Sequence, residues 1–315
     1  LKNNVTMRKE NLYMKKMMVE NTIICVSWGD KYDISYVEKL KEQCEANCSI
    51  PFNFYCITDR PKLGSKYDIN MPSYWDQFFL PEKNFFWAYR KCYMFALSYD
   101  DVETRETRYH WWLKHKYNRK HNETSMKYNM EWKNDIETKL WQFNRIQGEK
   151  FLFLDLDLII HQDLKYFFDL PMDKPYIVRG WWNNIEDCKR NFAKYKTTPL
   201  NSSVIRWNRG QLYEMWKEIY ANPEMVFFTY PTIDNYFNHR GYDVWNEEKS
   251  FFQGFPKGDI YSWYKGNIFP EDMEFKKFRE DHKICLFNNS KLTTKRGHIL
   301  EDEKELMYDI DKVNL

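Results

Sequence analysis

The sequence predicts an α/β domain: a mainly parallel central sheet flanked by helices. Three observations carry this. Phe151-Leu152-Phe153-Leu154-Asp155-Leu156-Asp157-Leu158-Ile159-Ile160 is an almost continuous apolar run in an otherwise polar and aromatic chain, and such a run suits a strand buried on both faces. Near the start, a strand pattern at residues 22–26, a helical pattern at 35–44 and a second strand at 52–58 make a strand–helix–strand unit. A right-handed crossover lays two such strands side by side in parallel. Further short strand patterns at 176–179, 201–207 and 284–287 alternate with helical ones.

In order, residues 1–20 are polar and rich in Met and Lys and read as a lead-in. After the first strand, residues 27–32 form a loop, and Val37, Leu40 and Cys44 recur at helical spacing. The second strand ends in Asp59-Arg60-Pro61, so the loops at 27–32 and 58–60 leave the same sheet edge together. An amphipathic helix is predicted over 85–97, carrying Arg90 and Lys91. Residues 100–147 are basic and aromatic, lack strand signals and read as a helical insertion; the spacing of His110, His115 and His121 there fits a solvated basic face. A helical turn at 162–170, the strand at 176–179 and a loop with Trp181 and Trp182 exposed follow the central run. Residues 211–220 place Leu212, Met215, Trp216 and Ile219 on one helical face, and Thr232 has the chemistry of a helix N-cap. Residues 301–315 are a charged tail expected on the surface.

At 315 residues the chain is long enough to bury a sizeable core, with 21–300 read as one domain that contains the insertion. Basic and acidic residues number 48 and 46, a balance that gives no general argument for nucleic acid or an anionic membrane. The seven scattered cysteines form no paired Cys-x-x-Cys set, which argues against zinc and for reduced thiols in a cytoplasmic setting. No apolar run reaches the length of a membrane span, and the charged N-terminal stretch lacks a signal-peptide core. Neither G-x-G-x-x-G nor G-x-x-x-x-G-K-S/T occurs, so no dinucleotide fingerprint or P-loop is present.

Asp155 and Asp157 are the chemical signal. At i and i+2 of an extended chain they share a face, and two unpaired carboxylates cannot stay inside a buried strand. They are expected at its carboxyl end, where open α/β sheets bind ligands, with a cation for company. A hard divalent ion bridging carboxylate and phosphate oxygens fits that need; capping the next element or pairing with lysines are the alternatives.

The ordered motifs resemble the glycosyltransferases of the GT-A fold, in particular a bacterial and viral group related to glycosyltransferase family eight. The matching segments are Val26-Ser27-Trp28-Gly29-Asp30-Lys31-Tyr32, Cys56-Ile57-Thr58-Asp59, Lys91 to Phe95, Leu154-Asp155-Leu156-Asp157, Asn201-Ser202-Ser203-Val204, Asp234-Asn235 and Tyr264-Lys265. The closing motif of the family carries a metal-binding His and a Gly; here it reads Phe287-Asn288-Asn289-Ser290-Lys291 and has neither. The resemblance spans about residues 21 to 295 and leaves the insertion unaccounted for.

That resemblance implies sugar transfer from a nucleotide-diphosphate donor, such as a UDP-sugar, to a glycan or other hydroxyl acceptor. It implies Mn²⁺ or Mg²⁺ held by Asp155 and Asp157, with Asn288 in the place of the His. Lys91 and Lys291 would meet the phosphates, and Ser27, Trp28, Tyr32 and Asp59 the nucleoside, although Trp28 can equally be core and each lysine a solvated charge. Asn201 and Asp234 would lie by the reacting carbon and acceptor, with Asp234 as the general base in an inverting enzyme, or with Asp234 or Asn235 stabilising an oxocarbenium-like state in a retaining one. Asp234 could also simply favour the first turn of its helix, and Asn288 could cap a turn. A different class of reading stays open: the basic, aromatic stretch at 105–120 suits single-stranded nucleic acid, and a nucleotidyltransferase would share the two-aspartate site.

Overall fold

The structure, a computed structural model, describes residues 19–29, 32–58, 68–70, 84–99, 146–194, 197–221, 223–262 and 281–286. β1 (Asn21–Ser27) and β2 (Phe52–Thr58) are short runs rich in β-branched and aromatic residues and pair in parallel from Asn21↔Phe52 to Ser27↔Thr58. The crossover between them is α1 (Ile34–Ala46). Asp33 starts it by accepting a hydrogen bond from the Ser35 N–H at 2.9 Å, an N-cap worth about 1 kcal/mol. Tyr36, Val37, Leu40 and Cys44 form its buried face.

The main sheet has seven strands in the order β3-β2-β1-β4-β7-β6-β8. β3 is Asp68–Asn70, β4 Lys150–Leu154, β6 Tyr176–Arg179, β7 Leu200–Asn208 and β8 Gln253–Gly254. β7 alone runs antiparallel to its two neighbours; the other pairings are parallel. The expected mainly parallel α/β sheet flanked by helices is what the chain forms.

β4 is central, with β1 on one side and β7 on the other. Its alternation sorts the core into two layers. Phe151 and Phe153 enter one cluster with Ile24, Ile205, Trp207, Phe95, Trp216 and Phe237, while Leu152 and Leu154 enter the other with Ile23, Cys25, Val204, Val37 and Leu40. Because both faces are covered, the run has no polar alternation, and each fully buried side chain contributes about 1.5–3 kcal/mol. Arg206 of β7 points into the second layer yet is fully buried. Its guanidinium donates to the carbonyls of Phe167 at 3.1 Å and Phe168 at 3.5 Å, and also to Trp207 O and Asn208 Oδ1. That ties the strand to the short helix α3 (Lys165–Asp169).

The run 151–160 is not one strand. β4 stops at Leu154, residues 155–157 bend, and β5 (Leu158–Ile160) joins a second sheet of order β5-β10-β9, with β9 at Ile260–Ser262 and β10 at Ile284–Leu286. The two carboxylates fall in the bend, where neither has to cross a doubly buried ladder. Likewise, residues 84–97 are not one amphipathic helix: a 3₁₀ segment, Asn84–Cys92, leads into α2 (Tyr93–Leu97). Tyr89 to Phe95 are all buried, so this part of the segment is wedged inside the core.

α4 (Ile185–Asn191), α5 (Tyr213–Ala221), α6 (Pro223–Thr229) and α7 (Ile233–Gly241) complete the helices used below. All seven cysteines are free thiols. Among the described residues no helix is long and apolar enough to cross a membrane. The lead-in before residue 19, the insertion at 100–145 and the charged tail lie outside the described residues.

Candidate active site

Parallel pairing brings the carboxyl ends of β1, β2 and β4 to one edge of the sheet. β7, running the other way, begins at that same edge, with Val204 opposite Leu154. Its pairing with β6 jumps from Ile177↔Ile205 to Val178↔Asn201, so Ser202, Ser203 and Val204 bulge past β6. Residues from four separate segments therefore meet: 27–29 with Tyr32, 89–91, 155–157 and 201–203, with the start of α7 beside them.

Asp155 lies immediately after β4, and its N–H donates to Ser203 O at 2.9 Å. Its carboxylate is met by Lys91, whose Nζ donates to Oδ2 at 2.7 Å. The side chains of this pair are only 5% and 18% exposed, for Lys91 and Asp155 respectively. The same ammonium reaches Ser202 O at 3.4 Å and lies 5.0 Å from the centre of the Phe153 ring. Asp157 accepts a hydrogen bond from the Tyr32 hydroxyl at 2.9 Å. Burial, then the charges of Asp157 and Asp155, hold the Tyr32 phenol well above the usual tyrosine pKa, so it stays a neutral donor. Asp157 is thus tied to the phenol by a hydrogen bond, and Asp155 lies near enough to add its charge.

Asp234 is in the first turn of α7, and its Oδ1 accepts from the Ser202 N–H at 2.9 Å. Thr232 caps the helix as expected, accepting from the Asn235 N–H at 3.2 Å. The Tyr89 hydroxyl donates to Tyr230 O and Thr232 O, at 2.9 and 3.1 Å, and so pins the start of α7 to the segment that carries Lys91. Asn235 is buried and accepts from the Thr232 hydroxyl at 2.8 Å, turned onto its own helix cap. Asn201 Oδ1 accepts from the Ser203 N–H at 3.0 Å, which fixes its side chain at the start of the bulge. Asn201 and Asp234 line a polar cleft of about 190 Å³ with Trp182, Asn183, Thr197, Thr198 and Leu200.

Ser27 is fully buried at the end of β1. Trp28 is partly buried against the first core layer, and the Arg90 guanidinium lies 4.0 Å from its ring centre. Asp59, Asn288, Lys291 and the Tyr264-Lys265 pair lie outside the described residues. The reading from sequence named neither Arg90 as a ring partner nor Trp182, Asn183 and Thr198 as cleft walls. Their signals are weak: Asn183 acts by donating to Thr198 O at 2.7 Å, a bond between residues 15 apart.

Could this edge hold a divalent cation? Asp155 and Asp157 offer hard oxygen donors at a strand end, which suits Mg²⁺ or Mn²⁺. Among the described residues no group of three or more His, Cys, Asp or Glu gathers. The two aspartates fit an ion that draws further oxygens from a bound phosphate.

No protein-family description and no curated protein matches the sequence. Among solved structures the chain is similar to a glycosyltransferase involved in the glycosylation of the major capsid of PBCV-1, at 13% identity and a TM-score of 0.47, covering 92% of this chain and 98% of that one. It is also similar to the galactosyltransferase LgtC in complex with donor and acceptor sugar analogs, at 11% identity and a TM-score of 0.42, covering 91% and 95%. A third likeness is to mouse xyloside xylosyltransferase 1, at 11% identity and a TM-score of 0.44, covering 86% and 98%. With every one of these TM-scores below 0.5, functional weight rests on the site itself.

Proposed function

We propose that the chain is a metal-dependent glycosyltransferase of the GT-A type that moves a sugar from a nucleotide-diphosphate donor, a UDP-sugar, to a hydroxyl acceptor, with retention at the anomeric carbon. The observation that carries this reading is the meeting of Asp155, Asp157, Lys91 and Tyr32 with Asn201 and Asp234 at one sheet edge, beside a polar cleft. A diphosphate needs cations and a departing sugar needs a fixed anion, and both kinds of group are here within one bulge.

When bound, Mn²⁺ or Mg²⁺ held by Asp155 and Asp157 would neutralise charge on the leaving diphosphate. The remaining work falls to the chain. Lys91 supplies an ammonium at the same edge. Trp28 and Tyr32 offer ring surface for the nucleoside, with Asp59 as its polar contact, while the full burial of Ser27 takes that residue out of the contact set. The Ser202 N–H holds the Asp234 carboxylate in one orientation at the cleft, where it stabilises the cationic sugar as the bond to the diphosphate breaks. Asn201 lines the cleft in which the sugar would sit, and Asn235 keeps the start of α7 in place. Asn288 and Lys291 remain assigned to the metal and phosphate by their motif.

The test is release of nucleoside diphosphate from a panel of nucleotide sugars, with and without Mn²⁺, backed by thermal shift. Metal-dependent turnover of at least one donor is expected, and NMR of the product gives the anomeric outcome. Absence of any donor that is both bound and cleaved in the presence of metal removes the reading.

A further inference from the structure

The Lys91–Asp155 pair is unusual for a carboxylate that is to take a metal ion. The ammonium is nearly sealed from water and has three partners: Asp155 Oδ2 at 2.7 Å, Ser202 O at 3.4 Å and the face of Phe153. Two of them come from β4 and the turn after it, the third from the β7 bulge. It is thus held by a socket that also fixes Asp155 through its N–H bond to Ser203 O. A cation in that socket repels a second cation approaching the same carboxylate, and at these distances the effect of one unit charge is large.

We infer that Lys91 is a resident cation that suppresses binding of a free divalent ion at Asp155 and makes ion and diphosphate load together. The inference rests on the metal-and-diphosphate reading of the site and gives Lys91 a role beyond phosphate contact. An arriving diphosphate offers the ammonium new oxygens, and its charge offsets the repulsion between the two cations. Metal and diphosphate then raise each other's affinity by a common factor, as linkage requires, and Lys91 supplies much of that factor.

The experiment is calorimetric titration of Mn²⁺ into the full chain, with and without UDP, for wild type, Lys91→Met and Lys91→Arg. Wild type and Lys91→Arg should bind Mn²⁺ weakly alone and much more tightly with UDP. Lys91→Met should bind Mn²⁺ alone about ten-fold more tightly or better, bind UDP alone more weakly, and show about a ten-fold smaller coupling factor. Lys91→Gln, which can still donate to Asp155, is a second neutral variant for use if the Met protein does not fold; the same tightening is expected of it. Equal Mn²⁺ affinities in wild type and a folded neutral variant overturn the role given to Lys91 and leave the metal site standing. Failure of every protein to take up Mn²⁺, even with UDP, removes the metal site and the inference with it.

Discussion

Replacing Asp155 by Ala should weaken the fold as well as the chemistry, and the size of the loss follows from the burial of its partner. Lys91 is 5% exposed and Asp155 18%, so the ammonium cannot recover its hydration when the carboxylate goes. Removing one member of a buried ion pair costs about 3–5 kcal/mol, because it strands the other charge. Among the described residues, Ser202 O and the Phe153 ring would be the partners left to Lys91. In urea, with a slope of about 3 kcal/mol per molar, the unfolding midpoint should fall by about 1–2 M. Asp155→Asn keeps an acceptor for Lys91 and should fall by less. Replacing both residues by apolar ones, Lys91→Met with Asp155→Leu, should recover most of the loss, since no charge is left stranded. Tryptophan fluorescence during unfolding reads all four proteins. A midpoint for Asp155→Ala within about 0.3 M of wild type would mean that the pair does not form in solution, and the resident-cation argument would go with it.

Asp234→Asn keeps an oxygen for the Ser202 N–H and so should keep the fold, while turnover of a donor falls about 10²–10³-fold through loss of the fixed anion; unchanged turnover would clear Asp234 of a catalytic role. Arg206→Met leaves the carbonyls of Phe167 and Phe168 without their donor, and thermal unfolding should show a loss of about 2–4 kcal/mol; a loss below about 1 kcal/mol would mean that these carbonyls find other donors. Alkali should unfold the protein cooperatively. Burial raises the phenols of Tyr32, Tyr89 and Tyr236 above the usual tyrosine value, so above about pH 10 the unfolded chain releases protons that the folded one keeps. Stability is then intact below pH 10 and declines as pH rises beyond it, and phenolate absorbance should show a class of tyrosines that ionise only together with unfolding; smooth titration of every phenol in a folded protein would contradict this.

Local signals were legible where one segment decides its own structure. β2 and β6 have the bounds that their apolar runs suggest, and Thr232 caps α7 as its chemistry predicts. α4 carries equally legible signals: Asn184 accepts from the Glu186 N–H at 2.8 Å, Glu186 and Asp187 occupy its first turn, and Lys189 and Arg190 its last. The break inside 151–160 is another matter. β4 and β5 are both buried on two faces, so their apolar letters join without a seam, and only the two aspartates mark the bend. Lys91 shows the limit most clearly. Its place in a motif suggested a phosphate, but its partner in the fold is a carboxylate 64 residues away, and no local pattern encodes that distance.

The bulge in β7 shows why the site could be placed on the sheet edge from sequence yet not assembled there. In a regular antiparallel ladder alternate residues among 202–204 would be bonded to β6. Here the pairing jumps past them: Ser202 N–H holds Asp234, Ser202 O receives Lys91 and Ser203 N–H holds Asn201, while Ser203 O receives the Asp155 N–H in continuation of the β4–β7 register. Four of the residues that the motifs single out are therefore positioned by the main chain of two serines. Small side chains at 202 and 203 allow the helix from Thr232 and the segment around Lys91 to approach that main chain closely. The motif Asn201-Ser202-Ser203-Val204 thus earns its place through its backbone, with the Asn201 side chain alone offering chemistry of its own. A pattern read as side chains on a strand cannot reveal this, because the information lies in which ladder bonds the strand leaves unmade.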